Sequence, residues 1–212
     1  MRDIPMFPTD YGAAGLVLNQ IPYTGNAYVH VHSALDLKLL LEECAGFCIA
    51  AGAERVYDCG DCDFFGFEAD VAILKMQQQL EELADTDTCL MPITEATLGE
   101  WLKIHNAAMS GVDHAAYLSS LDGKRLLADG GGYFVHRDSS LLGIGVANGD
   151  TIATLASVQK GAGRDVVLAL CHALSGDTVH LEVAQTNHRA IALYRRLGFI
   201  EIGIKCQWYR IK

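Results

Sequence analysis

The stretch from Leu181 to Phe199 constrains the fold more than any other part of this chain, because it joins two kinds of periodicity. Apolar and polar residues alternate through Val179–Val183, which predicts a β-strand with one buried face. The apolar residues that follow recur at steps of three and four, which is typical of a helix. They are Ala190, Leu193, Tyr194 and Leu197. Gly198 then stands where a helix ends, so the stretch predicts a strand that leads directly into a helix.

The patterns on either side extend this stretch into an alternation of strands and helices. A short strand over Met91–Thr94 and a helix over Glu95–Ala108 come first, and we expect a loop from there to Gly130. Three strands and a helix precede the stretch, and two strand-like runs follow it. These segments are Tyr133–His136, Leu141–Ala147, Thr151–Ala156, Val166–Leu174, Ile200–Ile204 and Cys206–Ile211. The order predicts an α/β fold with a mixed central sheet flanked by helices.

The upstream part of the chain repeats some of this order. Strands are predicted at Ala27–Val31 and Arg55–Tyr57, with a helix over Leu37–Ala51 between them. The segment Ala69–Leu83 fits both a helix and a strand, and we favour a strand up to Met76. The polar, aperiodic residues around Asp85–Thr88 then predict a boundary between two domains, residues 1–88 and 89–212.

Composition narrows the class of protein. Half of the 212 residues are hydrophobic, so the chain can bury a sizeable core. The formal net charge of -10 argues against nucleic acid as a partner, because that binding requires Lys and Arg at phosphates. No apolar run is long enough for a bilayer, and the first residues do not form a secretion signal, so no membrane partner is expected. The 7 cysteines at irregular spacings then indicate reduced thiols in the cytoplasm.

A glycine-bearing loop from Lys160 to Asp165 opens the helix after the fourth strand. Gly161 and Gly163 let the backbone come close to a ligand, and the free amides of a first helical turn point at it. This combination suits a pyrophosphate. Asp165 stabilises the helix dipole, but it would repel a bound phosphate on the same side.

Together, this loop and a second series downstream resemble the GCN5-related N-acetyltransferases over about residues 90 to 212. The second series consists of Asn187, Ala190, Leu193, Tyr194, Gly198 and Phe199. It looks most like that of the ribosomal-protein N-terminal amine acetyltransferases, which carry a similar Leu-Glu-Val before the Asn. The family prefers Arg or Gln where this chain has Lys160, and Gly or Ala where it has Asp165.

The resemblance implies transfer of an acetyl group from acetyl-CoA, as cosubstrate, to a primary amine. It implies that the loop holds the pyrophosphate and that the strand before it pairs with the pantetheine arm. The cofactor-binding residues would be Leu155, Ser157, Lys160, Gly161, Ala162, Gly163, Arg164, Asp165 and Asn187. Tyr194 would be the general acid that protonates the departing thiolate. Glu182 would be the base, acting directly or through water.

Each of these roles has a structural alternative. Tyr194 also fits a core aromatic, Glu182 a solvated strand residue and Asn187 a helix cap. His180 shares the strand face of Glu182 and is a second candidate base. Arg164, and less strongly Arg189, are candidates for contact with a phosphate of CoA.

No metal is expected. His30 and His32 share a strand face, but no carboxylate or Cys follows at a matching spacing. Cys59 and Cys62 form a CxxC sequence that lacks a second ligand pair.

Two functions remain open at this point: the acetyltransferase, and a non-catalytic acyl-CoA-binding or interaction module of the same fold. The upstream part looks like a degenerate half-copy of that fold, as in tandem acetyltransferases. A homodimer is compatible with the sequence, and the amine acceptor is not encoded in a motif.

Overall fold

The computed structural model describes residues 4–60 and 66–212. Their contacts divide the chain into two compact units. Unit 1 comprises Met1–Ile73 and Cys206–Lys212, and unit 2 comprises Leu74–Lys205. The domain boundary at residues 88 and 89 stays a prediction from composition, whereas the contacts divide the chain between Ile73 and Leu74. Within the described ranges, no helix is both long and apolar enough to cross a bilayer.

Unit 1 is a mixed sheet with helix α2 packed on it. Its elements are β1 (Met6–Thr9), β2 (Gly12–Val17), α1 (Ile21–Thr24), β3 (Asn26–Ala34), α2 (Leu37–Ala50), β4 (Arg55–Cys59) and the end of β11 (Ile200–Arg210). The strand order is β1-β2-β3-β4-β11, in which only β3 and β4 are parallel. Apolar residues of α2, among them Leu40 and Leu41, are fully buried against the sheet.

Unit 2 contains strands that lie side by side in the order β5-β10-β9-β8-β7-β6. Its elements are the end of β5 (Glu68–Gln79), then β6 (Cys89–Pro92), α3 (Leu98–Met109), α4 (Ser120–Asp129), β7 (Gly132–Arg137), β8 (Ser140–Asn148), β9 (Thr151–Ser157), α5 (Gly163–Cys171), β10 (Thr178–Ala184), α6 (His188–Arg196) and the start of β11. Strands β6 to β9 are antiparallel, and β9 and β10 are parallel. The expected mixed sheet flanked by helices is confirmed.

Helices cover both faces of this sheet. Val135 packs in one apolar cluster with α5 and α6, whereas its neighbour Phe134 packs in another with α3. Adjacent residues of a strand point to opposite faces, so the two clusters lie on opposite sides of the sheet. The face with α5 and α6 carries the functional site described below.

Two strands, β5 and β11, are divided between the units. Strand β5 begins in unit 1, and its end supplies Leu74 and Met76 to the main apolar cluster of unit 2. Strand β11 begins in unit 2, and its end pairs with β4 of unit 1, where Trp208 lies opposite Cys59. Unit 1 therefore takes a strand segment that is remote in sequence from its other residues.

Helix α4 corrects the expectation of a loop up to Gly130. A capping box begins the helix: the Ser119 hydroxyl accepts from the Asp122 amide at 3.3 Å, and the Asp122 carboxylate accepts from the Ser119 amide at 2.9 Å. This Ser-x-x-Asp signal was present in the sequence and was missed. The two runs expected after Ile200 form one strand, and β5 is the strand that we favoured but extends to Gln79.

Candidate functional site

The site begins where two parallel strands separate. Strands β9 and β10 pair at two positions, His180 with Thr151 and Leu181 with Ile152. No further pair joins them within 151–157 and 178–184, so the backbone of β9 beyond Ile152 lacks a strand partner on this side. A cavity of about 860 Å³ lies here, and Ser157 is part of its wall.

Most residues predicted to bind the cofactor line this one cavity. They are Leu155, Ser157, Lys160, Gly161, Gly163, Arg164 and Asn187, and Tyr194 joins them. They come from strand β9, from the glycine loop and from helix α6. The geometry therefore brings together the two sequence series that were separated in the chain.

The glycine loop leaves the start of α5 open. Gly161 has φ +90°, a left-handed conformation that glycine adopts without strain. Helix α5 starts at Gly163, and no side chain caps it. Among the described residues, no group accepts a hydrogen bond from the amides of Gly161, Gly163 or Arg164. Such amides form an anion-binding site together with the positive end of the helix dipole.

Unit 1 provides a contrast at the equivalent point of its own strand-helix-strand segment. There, the carboxylate of Asp36 accepts a hydrogen bond from the amide of Leu39 at 3.0 Å and caps helix α2. A helix start that is already capped by a carboxylate is unsuited to an anion. Only α5, of these two helices, has its first turn available.

The charge of the cavity is opposite to that of the chain. Its lining includes four cationic side chains and, within the part of the chain described, no carboxylate. The cations are Lys160, Arg164, Arg189 and Arg196. The chain as a whole carries -10. The local excess of positive charge suits a ligand that carries several phosphates. Arg196 was missed, although its spacing of seven from Arg189, two helical turns, signals a shared face.

Tyr194 is buried in the wall of the cavity. The side chain is 6% exposed, and its ring lies 5.8 Å from that of Phe199 between centroids. Burial, with a smaller contribution from the nearby thiol of Cys171, raises the pKa of Tyr194 to about 12. The phenol therefore holds its proton across the physiological range, as a general acid must before it donates.

Asn187 begins helix α6. Its Oδ1 accepts a hydrogen bond from the amide of Ala190 at 3.2 Å, so the alternative of a helix cap is confirmed. Its side-chain nitrogen, Nδ2, donates to no described residue. Since Asn187 also lines the cavity, capping leaves this donor available for a ligand.

Three predicted residues lie outside the lining. Ala162 is buried beneath the loop. Asp165 forms an ion pair with Arg137, with 3.0 Å between Oδ2 and Nη2. Glu182 forms an ion pair with Lys205, with 2.7 Å from Nζ to each carboxylate oxygen. These partners could not be read from local sequence.

His180 also lies outside the lining. Its Nε2 is 3.7 Å from the Asp150 carboxylate, at the end of β10 where the two strands are still paired.

No metal centre is found in residues 4–60 and 66–212, where no three His, Cys, Asp or Glu side chains are grouped to hold an ion. His30 and His32 lie on strand β3 of unit 1. Cys62 of the CxxC sequence lies outside the described residues.

The comparisons with known proteins concern the same region. A family model described as FR47-like protein matches residues 150–209. The N-alpha-acetyltransferase RimI of Mycobacterium tuberculosis is 38% identical over 52 residues, which cover 24% of this chain and 33% of that protein. The chain therefore spans about a third of the length of this curated relative.

Solved structures match over nearly the whole chain. A putative acetyltransferase from Pyrococcus horikoshii has a TM-score of 0.60 at 9% identity, covering 94% of this chain and 69% of its own. An acetyltransferase of the GNAT family from Colwellia psychrerythraea has a TM-score of 0.55 at 11% identity, covering 98% and 84%. At these identities the likeness shows the fold.

The mixed sheet with flanking helices is thus the fold of these acetyltransferase structures. Together with the matches to residues 150–209, this makes the chain similar to the GCN5-related N-acetyltransferases.

Proposed function

We propose that this protein is an N-acetyltransferase that moves an acetyl group from acetyl-CoA to a primary amine. The observation that carries the proposal is the single cavity where the separated strands, the uncapped start of α5 and the buried Tyr194 meet. Transfer from a thioester with a phosphate-bearing tail requires three features: a strand edge to bind the arm, an anion site for the phosphates and a donor of a proton to the leaving thiolate.

Cofactor binding is assigned to the wall formed by β9 and the loop. The amides of Gly161, Gly163 and Arg164 would hold the pyrophosphate, because their hydrogen bonds are otherwise unused. Lys160 and Arg164 add positive charge at the same end. The free edge of β9, through Leu155 and Ser157, would pair with the pantetheine arm, and Asn187 would donate to it.

Tyr194 would supply the proton that ends the transfer. The amine nitrogen forms the new bond to the thioester carbonyl carbon, the carbon–sulfur bond breaks, and the sulfur takes the proton of the Tyr194 hydroxyl. The raised pKa of Tyr194 keeps that proton in place until the carbon–sulfur bond breaks and the thiolate can accept it. The amine proton leaves in the other direction, so the phenol is restored through solvent.

Glu182 is assigned the role of the base that removes the proton of the amine through a water molecule. Both carboxylate oxygens of Glu182 lie 2.7 Å from Lys205 Nζ. Direct abstraction would require this ion pair to break, whereas a water molecule on the carboxylate leaves it intact. The ion pair also supports the second candidate, a non-catalytic acyl-CoA-binding module, since it occupies the candidate base.

One experiment separates these functions. The melting temperature is measured with and without millimolar acetyl-CoA, and acetyl transfer is measured on a panel of peptide amino termini, lysines, polyamines and aminoglycosides. A higher melting temperature together with transfer supports the enzyme. A shift without transfer supports the binding module. An unchanged melting temperature contradicts both.

Unit 1 is proposed to be a degenerate half-copy of the fold. Three antiparallel strands, a helix and a parallel strand follow in the same order in β1 to β4 as in β7 to β10. The cap on α2 by Asp36 fits the loss of a phosphate site. A cytoplasmic location, a homodimer, and the lack of nucleic-acid, membrane and metal partners stay predictions from sequence.

A further inference from the structure

Arg137, at the end of strand β7, joins two carboxylates. Its Nη2 lies 2.7 Å from Asp87 Oδ1 and 3.0 Å from Asp165 Oδ2, and its Nε donates to Asp87 Oδ1 at 2.8 Å. Asp87 belongs to the segment before β6, and Asp165 to the first turn of α5. One guanidinium therefore ties that segment to the start of the helix.

The position of Asp165 makes this contact relevant to the proposed cofactor site. A carboxylate in the first helical turn competes with a bound anion for the same amides and the same dipole. Asp165 instead lines a separate cavity of about 410 Å³, together with Arg137 and Asp87. The carboxylate is thus turned away from the cavity that contains Gly161.

Arg164 belongs to both cavities. It lines the larger one, and its Nη1 also lies 3.8 Å from Asp165 Oδ1. Two arginines therefore compete for one carboxylate. Arg137 is at the shorter distance, and its side chain is 34% exposed compared with 53% for Arg164. The less exposed pair is the less screened one, so Arg137 is the principal partner.

We propose that Arg137 is a positioning residue for the cofactor: it holds Asp165 away from the phosphates and leaves Arg164 free to contact them. This inference rests on the proposed function. Without Arg137, Asp165 would have Arg164 as its remaining cation. The larger cavity would then lose the positive charge of Arg164, which would be neutralised by Asp165. The family pattern prefers Gly or Ala where this chain has Asp165. The carboxylate is compatible with cofactor binding because it is paired with Arg137.

A double-mutant cycle tests this coupling. The dissociation constant for acetyl-CoA is measured by calorimetry for the wild type, Arg137→Gln, Asp165→Asn and the double variant. We expect Arg137→Gln to weaken binding by about 2- to 5-fold, the range of one charge near a helix terminus. In the Asp165→Asn background the same change should have no effect, because no carboxylate remains to be held.

The expected kinetic signature is a raised KM for acetyl-CoA with an unchanged kcat, and a weaker effect at high salt. Arg195→Gln is the matched control. It removes an exposed arginine whose carboxylate partner, Glu201, is 3.5 Å away, and it does not line the cavity. If Arg137→Gln folds poorly, Arg137→Lys keeps the charge and should give a smaller loss that Asp165→Asn also abolishes.

An equal loss of affinity in both backgrounds, or no loss in either, overturns the inference and leaves the proposed function standing. Failure of the wild type to bind acetyl-CoA overturns the proposed function, and this inference with it. The two failures are therefore distinguishable.

Discussion

Gln78 Nε2 donates a hydrogen bond to the carbonyl oxygen of Leu197, 3.3 Å away, at the end of helix α6. Gln78 is 8% exposed and belongs to the part of β5 that lies in unit 2. Gln78 thus supports the end of the helix that carries Tyr194, although it precedes the predicted domain boundary at residues 88 and 89. The candidate site depends on residues that precede its motifs by about half of the chain.

A fragment of residues 89–212 should therefore fail to form a stable site. It lacks Gln78 as well as Leu74 and Met76, which are buried in the cluster that contains Tyr194. Loss of two large core side chains alone costs several kcal/mol, about 2–5 for each. Circular dichroism and thermal melting check this. The control is a fragment that begins at residue 66 and keeps all of β5. Equal stability of the two fragments would contradict the role of β5.

Tyr194→Phe should lower kcat and leave acetyl-CoA affinity unchanged. The change removes only the hydroxyl and keeps the ring that packs on Phe199. Loss of a general acid typically costs about 10²- to 10⁴-fold in rate. Steady-state kinetics and calorimetry on the same preparation check the two parts. A full rate in Tyr194→Phe would assign the phenol to packing alone.

Tyr194→Phe should also change how the free energy of unfolding depends on pH in the alkaline range. The pKa of Tyr194 is about 12 in the folded protein, against 10.0 for an ordinary tyrosine. Between these values the unfolded chain loses the proton while the folded protein keeps it, so unfolding is favoured as pH rises. The stability associated with Tyr194 is fully present below pH 10 and is lost as pH rises toward 12.

Urea unfolding between pH 9 and 11 measures this effect as a difference between wild type and Tyr194→Phe. Other buried phenols and thiols contribute equally to both proteins. The wild type should lose stability faster, by about 1.4 kcal/mol at pH 11, which lies one unit above the ordinary pKa of a phenol. Parallel curves for the two proteins would show that the phenol titrates alike in the folded and unfolded states.

Gly161→Ala should weaken acetyl-CoA binding by disturbing the loop. No atom lies within 4 Å of the added Cβ, so the cost comes from the φ of +90°, about 1–2 kcal/mol. Gly176→Ala is a matched control, because Gly176 has φ +112°, is equally uncrowded and does not line the cavity. Both variants should lose similar stability. Only Gly161→Ala should lose affinity, as calorimetry would show.

Sequence reasoning succeeded where the signal is local. The periodicity around the glycine loop and around the series from Asn187 to Phe199 predicted the element order. The family resemblance that these two motifs carry implied eight residues that line one cavity. The family was likewise recognised from these two series.

The ion pairs could not be predicted in this way. Arg137, in β7, pairs with Asp87 before β6 and with Asp165 in α5. Lys205, in β11, pairs with Glu182 in β10. Side-chain pairing of this kind depends on strand register and helix rotation, which periodicity alone does not specify. Helix α4 is different, since its capping signal at Ser119 and Asp122 was readable.

The strand that β11 adds to β4 has a consequence for synthesis. The ribosome makes residues 206–212 only after all of unit 2. The edge of β4 that pairs with β11 therefore stays unpaired while unit 2 is translated. Exposed strand edges are where nascent chains associate wrongly. A premature stop just before Cys206 would spare every residue that lines the site, yet it would leave the first-made part of the protein unable to finish folding.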